Sequence, residues 1–333
     1  MVKKNNIIKI QFKKNHFINL KINQKLILFF FIISLIFTSC TSINNTKNIG
    51  KKIYTGTEGV LIEVFSNLPD SIYEGEILNY IIKVVNKGPY EVNNAKLLIT
   101  LEKNYMEFSD SSNIAEIKNI NLEGKSLNNL IDDFSLIEKP IKAKKIDSQS
   151  EYQLTNILTS FCYDYKGILI NDVCIDSDPY NLKSLKKVCN THNLEFSEGQ
   201  GGPLKISLIE TRMLSENNYL RPQFKISFQN VGNGIVIKKG TIDKVCNKDS
   251  LQEVYNVITL KDISFSKFHI NDFECYPEEL ILKQEQNSIT CTLKPGLLSK
   301  EISTYSTPLR VEIEYGYFIT DSKNIKIKKL LKY

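Results

Sequence analysis

A strand that runs into Asn-x-Gly occurs twice in this chain, 144 residues apart, and nothing else in the sequence constrains the fold as strongly. Tyr80 to Gly88 reads YIIKVVNKG, and Phe224 to Gly232 reads FKISFQNVG. In both, an aromatic opens a β-type run that ends where the chain must turn. Asn and Gly suit such a turn because both tolerate positive φ at low cost. A similar strand precedes each copy, VLIEVF from Val60 and LKISLIETRML from Leu204. Two such copies predict a duplicated β domain.

The rest of the chain agrees with an all-β reading. Runs such as ILNYIIKVV and AKLLITL have strand length and lie between Gly, Pro and Asn punctuation. No long segment carries a 3.6-residue amphipathic period; short helices are allowed only at Ser126–Ile137 and Leu182–Val188. FCYDYKGILINDVCI is expected to be a hairpin bent near Lys166-Gly167. LRVEIEYGYFIT, with the following Asp321–Asn324 and IKIK, reads as a closing hairpin. The Gly-rich stretch SEGQGGP near 190–203 reads as a linker; it fails as a phosphate loop because no Gly-Lys-Ser/Thr follows.

The strand ending in Asn-x-Gly resembles the CARDB-type and related immunoglobulin-like β-sandwich modules of archaeal and bacterial surface proteins. YEGEILNYIIKVVNKGPYEVNN, CIDSDPY and GQGGPLKI…QFKISFQNVGNG are similar to stretches of an uncharacterised archaeal cell-surface, lipoprotein-like family. The resemblance covers most of 55–320. It implies two tandem immunoglobulin-like β-sandwiches, at 59–189 and 204–333, joined by the linker 190–203. It supplies no catalytic motif.

The N-terminus sets an expected address. Residues 1–40 hold seven lysines and no acid, and they end in the apolar run LILFFFIISLIFTSC. From Leu26 to Ser39 this run is about 21 Å long as a helix, short of a bilayer core of about 30 Å. A basic n-region, a short apolar stretch and small residues before a cysteine describe a secretory signal. Thr38 and Ser39 fit a lipoprotein cleavage box and Phe37 departs from it, so Cys40 is a lipidation candidate. An uncleaved signal anchor is the alternative, and a buried core helix a third reading. Residues 41–58, with the sequon at Asn44, have the composition of a flexible tether.

Charge and cysteines sharpen this address. Taking the leader's seven lysines from the chain's 43 basic residues leaves 36 against 37 acidic ones, so the folded part has no positive excess for nucleic acid. Beyond Cys40 stand Cys162, Cys174, Cys189, Cys246, Cys275 and Cys291, an even set without C-x-x-C, which predicts disulfides rather than zinc. Of the 15 possible pairings, the preferred one closes Cys162 with Cys174, Cys275 with Cys291, and Cys189 with Cys246. Asp176 and Asp178 are a weak Ca²⁺ candidate beside the simpler reading of an Asp-rich turn. No cofactor and no catalytic residue is expected. The expected function is a non-enzymatic, membrane-tethered cell-envelope protein for adhesion, spacing, or binding of a protein or surface polymer. The alternative is an extracellular solute- or glycan-binding lipoprotein.

Overall fold

Two 24-residue strands, Tyr152–Ile175 and Tyr305–Lys328, lie antiparallel along their whole length and form the spine of the molecule. The computed structural model describes residues 53–65, 69–182, 186–246, 252–283 and 287–330. The leader, Leu26–Cys40 and most of the tether lie outside them. Residues 49–333 form one compact unit.

In chain order the strands are β1 (Val60–Val64), β2 (Ser71–Tyr73), β3 (Ile77–Asn86), β4 (Val92–Leu101), β5 (Met106–Phe108), β6 (Ile114–Leu122), β7 (Asp133–Ala143), β8 (Tyr152–Ile175), β9 (Leu194–Glu195), β10 (Leu204–Glu216), β11 (Tyr219–Asn230), β12 (Ile235–Ile237), β13 (Val257–Phe265), β14 (Phe273–Tyr276), β15 (Glu279–Ile281), β16 (Ser288–Leu293) and β17 (Tyr305–Lys328). A short helix, α1, spans Ile242–Cys246. The large sheet runs β15-β13-β17-β8-β4-β6, with β12 and β2 also against β17. Two smaller sheets, β1-β3-β7-β5 and β14-β16-β11-β10-β9, cover its inner face. Tyr80 of β3 bonds Thr159 of β8 at 2.9 Å, and Phe224 of β11 packs edge-on against Phe265 of β13 at 5.8 Å. The fold is therefore all-β, as the sequence predicts.

The tandem arrangement needs correction. Each small sheet is built from one sequence half, but the large sheet is built from both. β8 starts under the first small sheet and ends under the second; β17 does the reverse. At about 3.3 Å per residue each spans about 80 Å. Neither expected hairpin exists. Gly167 stays in β8, in register opposite Ile313, and is a glycine because a Cβ there would press on the Ile313 side chain at 3.2 Å. The polar run at 321–324 stays paired with 156–159 and is polar because the sheet is largely uncovered there. Of the allowed helices, Ser126–Ile137 passes into β7, and the described part of Leu182–Val188 is not helical.

The halves are related by an approximate two-fold axis between β8 and β17. Tyr163 faces Tyr317 and Tyr165 faces Tyr315 in register. Asn86 and Asn230 hold equivalent positions. The Asn86 Oδ1 accepts the Gly88 N–H at 3.1 Å and the Tyr165 hydroxyl at 3.5 Å; its Nδ2 donates to the Tyr90 carbonyl at 2.7 Å. The Asn230 Oδ1 accepts from Gly232 at 3.2 Å and Tyr317 at 3.1 Å, and its Nδ2 donates to Gly234 at 2.9 Å. The Asn-x-Gly repeat thus closes a turn and clasps a spine tyrosine. The segment expected to be a linker ends in this centre: Gly199 to Leu204 are buried, and Gly56 bridges Gln200 in parallel. Parallel pairing is what two equivalent segments running along a two-fold axis must adopt.

The glycines of the repeat are required by contact. A Cβ on Gly88 would sit 1.9 Å from the Tyr165 hydroxyl and 2.4 Å from the Gly201 carbonyl; one on Gly232 would sit 2.3 Å from the Tyr317 hydroxyl. Gly88→Ala and Gly232→Ala should each destabilise the fold by about 2–3 kcal/mol. Thermal unfolding measures this, and an unchanged midpoint would refute the clasp.

Candidate functional site

An elongated groove of about 900 Å³ opens where the edges of two sheets meet. On one side is β8 beyond Cys162. β4 pairs with β8 only as far as Cys162, so from Tyr163 onward that edge of β8 has no strand partner among the described residues. On the other side is β9, a two-residue edge strand, followed by Phe196 and Glu198. Tyr54 and Tyr90 close one end, their ring centres 6.2 Å apart.

Tyr90 joins the groove to the spine. Its ring meets that of Tyr165 edge-on at 5.7 Å, and its hydroxyl accepts the Ile168 N–H at 3.1 Å. The Lys166 ammonium lies over the ring at 5.6 Å. Burial pushes the Tyr90 phenol up to about 12, against the opposing effect of the Ile168 N–H. Burial also raises Tyr80, Tyr163, Tyr165, Tyr315 and Tyr317. The Val60 N–H donates to the Tyr163 hydroxyl at 3.3 Å. The Leu204 backbone faces the Tyr315 hydroxyl in the equivalent place but too loosely for a hydrogen bond.

The groove's charge is uneven. Arg310 is occupied by Asp262 at 3.2 Å and by Glu312. Glu195 and Glu198 line the opposite wall with no ion-pair partner among the described residues. Two carboxylates outside any ion pair thus stand beside aromatic and aliphatic side chains, with the Lys166 ammonium at the Tyr90 end and that of Lys205 on the Ser197 carbonyl at 3.4 Å.

The six cysteines form three disulfides: Cys162–Cys246, Cys174–Cys189 and Cys275–Cys291. The last matches the preferred pairing and joins directly opposed residues of β14 and β16. The other two pairs differ from expectation. Cys162 and Cys174 lie on one extended strand, about 40 Å apart, and cannot bond. Cys162 instead holds α1 on the outer face of the large sheet, and Cys174 holds the loop after β8. Three disulfides point to an oxidising, extracytoplasmic setting. Peptide mapping without reduction should recover these three pairs. Replacing Cys162 and Cys246 by Ala should cost about 4 kcal/mol, given the 84 residues between them.

Asp176 and Asp178 shape a turn. The Asp176 Oδ1 accepts the Asp178 N–H at 2.9 Å, and Asp178 accepts the Leu182 N–H at 2.9 Å. The Lys187 ammonium sits on the Asp176 Oδ2 at 2.7 Å, supplying the positive charge that a cation would bring. No three His, Cys, Asp or Glu side chains converge among the described residues. Cys40 lies outside those residues, and no described helix is long and apolar enough to cross a membrane.

Sequence reasoning missed the groove. One signal was available: Tyr163-x-Tyr165 and Tyr315-x-Tyr317 form a second repeat, at an offset of 152. It would have placed β8 and β17 as partners, and so exposed the edge of β8.

Raised phenol values make a pH prediction. A phenol that holds its proton more tightly when folded gives stability that is intact below pH 10 and lost as pH rises from 10 to about 12. Absorbance titration should show these tyrosines ionising late, together with alkaline unfolding. Tyrosines that all ionise near 10 in the folded protein would contradict it.

No family model and no curated protein matches the chain. Among the solved structures that match, two illustrate how distant the likeness is. One is the C-terminal domain of the Streptococcus pyogenes antigen I/II-family protein AspA, at 7% identity over 83% of this chain and 98% of that one, TM-score 0.18. The other is the Bacillus subtilis sporulation control protein Spo0M, at 12% identity over 51% of this chain and 80% of that one, TM-score 0.14. At these scores neither likeness carries a functional argument.

Proposed function

We propose that the chain is a non-enzymatic cell-envelope protein, tethered to a membrane by its N-terminus, whose fused β-sandwiches bind a protein or surface polymer. The observation that carries this reading is the set of three disulfides within the folded unit. Such bonds persist where glutathione and thioredoxin do not reduce them. The lysine-rich leader and its short apolar run are the matching export signal, and Cys40 is the proposed lipid attachment point. The sandwich modules are proposed to be of the CARDB-like kind that the Asn-x-Gly pattern resembles.

Binding, rather than catalysis, suits the groove. Its charged lining is two carboxylates and an arginine already held by acids, with no nucleophile–base pair. The solute- or glycan-binding reading would use this same groove, and Tyr54 and Phe196 at its rim favour it.

Membrane fractionation of the wild type and Cys40→Ala tests the address. The wild type should sediment with membranes, and the variant should be released or mislocalised. Equal retention of both would replace lipidation by an uncleaved anchor. A cytosolic wild type with free thiols would refute export altogether.

A further inference from the structure

We propose that the groove beside β8 accepts an extended, lysine- or arginine-bearing peptide, which adds as a strand to the free edge of β8. The proposal names a partner class for the binding surface proposed above and rests on that reading only for where the partner is met.

The first observation is the backbone. In an antiparallel strand, the N–H and C=O of one residue point to the same side, and those of the next residue to the other. The Ile168 N–H points away from β17, because it donates to Tyr90. The Cys174 carbonyl does the same, accepting from the Thr191 hydroxyl at 3.5 Å. The β8–β17 register is unbroken between them. Ile170 and Asp172 have the same parity, so their polar backbone groups also face the groove. The Asp172 N–H is taken by the Asn171 side chain at 2.8 Å, whereas the Ile170 N–H and C=O have no partner on that side among the described residues. Ile170 is 62% exposed. A free edge of this kind is a template for another strand.

The second observation is charge. Glu195 and Glu198 face this edge across the groove with no ion pair among the described residues, the Lys205 ammonium going to the Ser197 carbonyl instead, while Arg310 is already neutralised. An entering strand places alternate side chains on opposite faces. Every second residue can therefore reach these carboxylates, while its neighbours point outward with Ile170. A basic peptide satisfies both the backbone and the acids. A neutral glycan satisfies neither carboxylate by charge, and a second copy of β8 would offer them Leu169, Asn171 and Val173, none of them basic.

The test uses the full-length protein in detergent and a synthetic strand-forming peptide that alternates lysine with valine and threonine, read by fluorescence anisotropy. Its counterpart with glutamate in place of lysine should bind at least about tenfold more weakly. Ile170→Pro removes a free donor at the centre of the groove while leaving the β17 side of the strand untouched, and should weaken the lysine peptide about tenfold. Glu195→Lys with Glu198→Lys should do likewise, which keeps the test valid if the proline variant does not fold. Methylating alternate amides of the peptide should also abolish binding.

Several outcomes overturn the proposal. These are no binding of the lysine peptide at millimolar concentration, binding indifferent to charge, or binding unchanged by both variants. Self-association lost in Ile170→Pro, without peptide binding, would make a second copy the occupant. Binding of chitin oligosaccharides that Tyr54→Ala abolishes would make a glycan the occupant. None of these readouts depends on membrane attachment, so failure here and failure of the envelope reading are separate results.

Discussion

The unbroken pairing of β8 with β17 is the interaction on which everything else rests. A 24-residue antiparallel ladder makes one sheet out of two sequence halves and gives both small sheets a common floor. Its inner face carries Tyr163, Tyr165, Tyr315 and Tyr317, whose rings meet at 5.7–6.3 Å. Aromatic pairs of this kind each add about 0.5–1.5 kcal/mol beyond their burial. Three of their hydroxyls are met by the backbone of Val60 and the side chains of Asn86 and Asn230, whereas that of Tyr315 is buried without a hydrogen bond. The turn after each repeated strand is thus tied to the centre through its asparagine. The glycines that follow leave room for the tyrosines.

Much of this was legible in the sequence, for reasons that can be traced to residues. Period-two runs of Ile, Val and Tyr announce strands whatever the topology, and the all-β class follows from them. The Asn-x-Gly repeat showed the duplication because its turn chemistry is local. Which strand lies beside which is not local. Lys166-Gly167 and Asp321–Asn324 look like turns when only neighbours along the chain are considered. In the sheet they are a cross-strand packing gap against Ile313 and a largely uncovered surface. The linker reading of SEGQGGP failed for the same reason. Glycine there answers to the close approach of Pro89 and of the tyrosine rings, not to a need for flexibility.

The disulfides follow from that misreading. Placing Cys162 and Cys174 across a hairpin brought them together; placing them on one straight strand separates them. Each then takes a partner that fastens a peripheral piece to the spine. Cys246 brings α1 to the outer face, where Lys96 also pairs with Asp243, and Cys189 brings the loop with Asp176 and Lys187. The bridges anchor the parts least held by the core. The Cys174–Cys189 bridge also ties the end of β8 to the segment leading into β9, so it fastens the two walls of the groove beyond one end and leaves Ile168–Asn171 unpaired between them.

The exchange of long strands also bears on the order in which the molecule can be made. The first small sheet, complete by Ala143, rests on a floor whose last piece is the end of β17, at 320–328. Emerging from the ribosome, the first half has β4, β6 and β8 but lacks that last piece until nearly the whole chain has been synthesised. Contacts so distant in sequence close slowly. A chain that must cross a membrane unfolded, as the proposed export requires, gains time from this delay, because neither half can fold to completion ahead of the other.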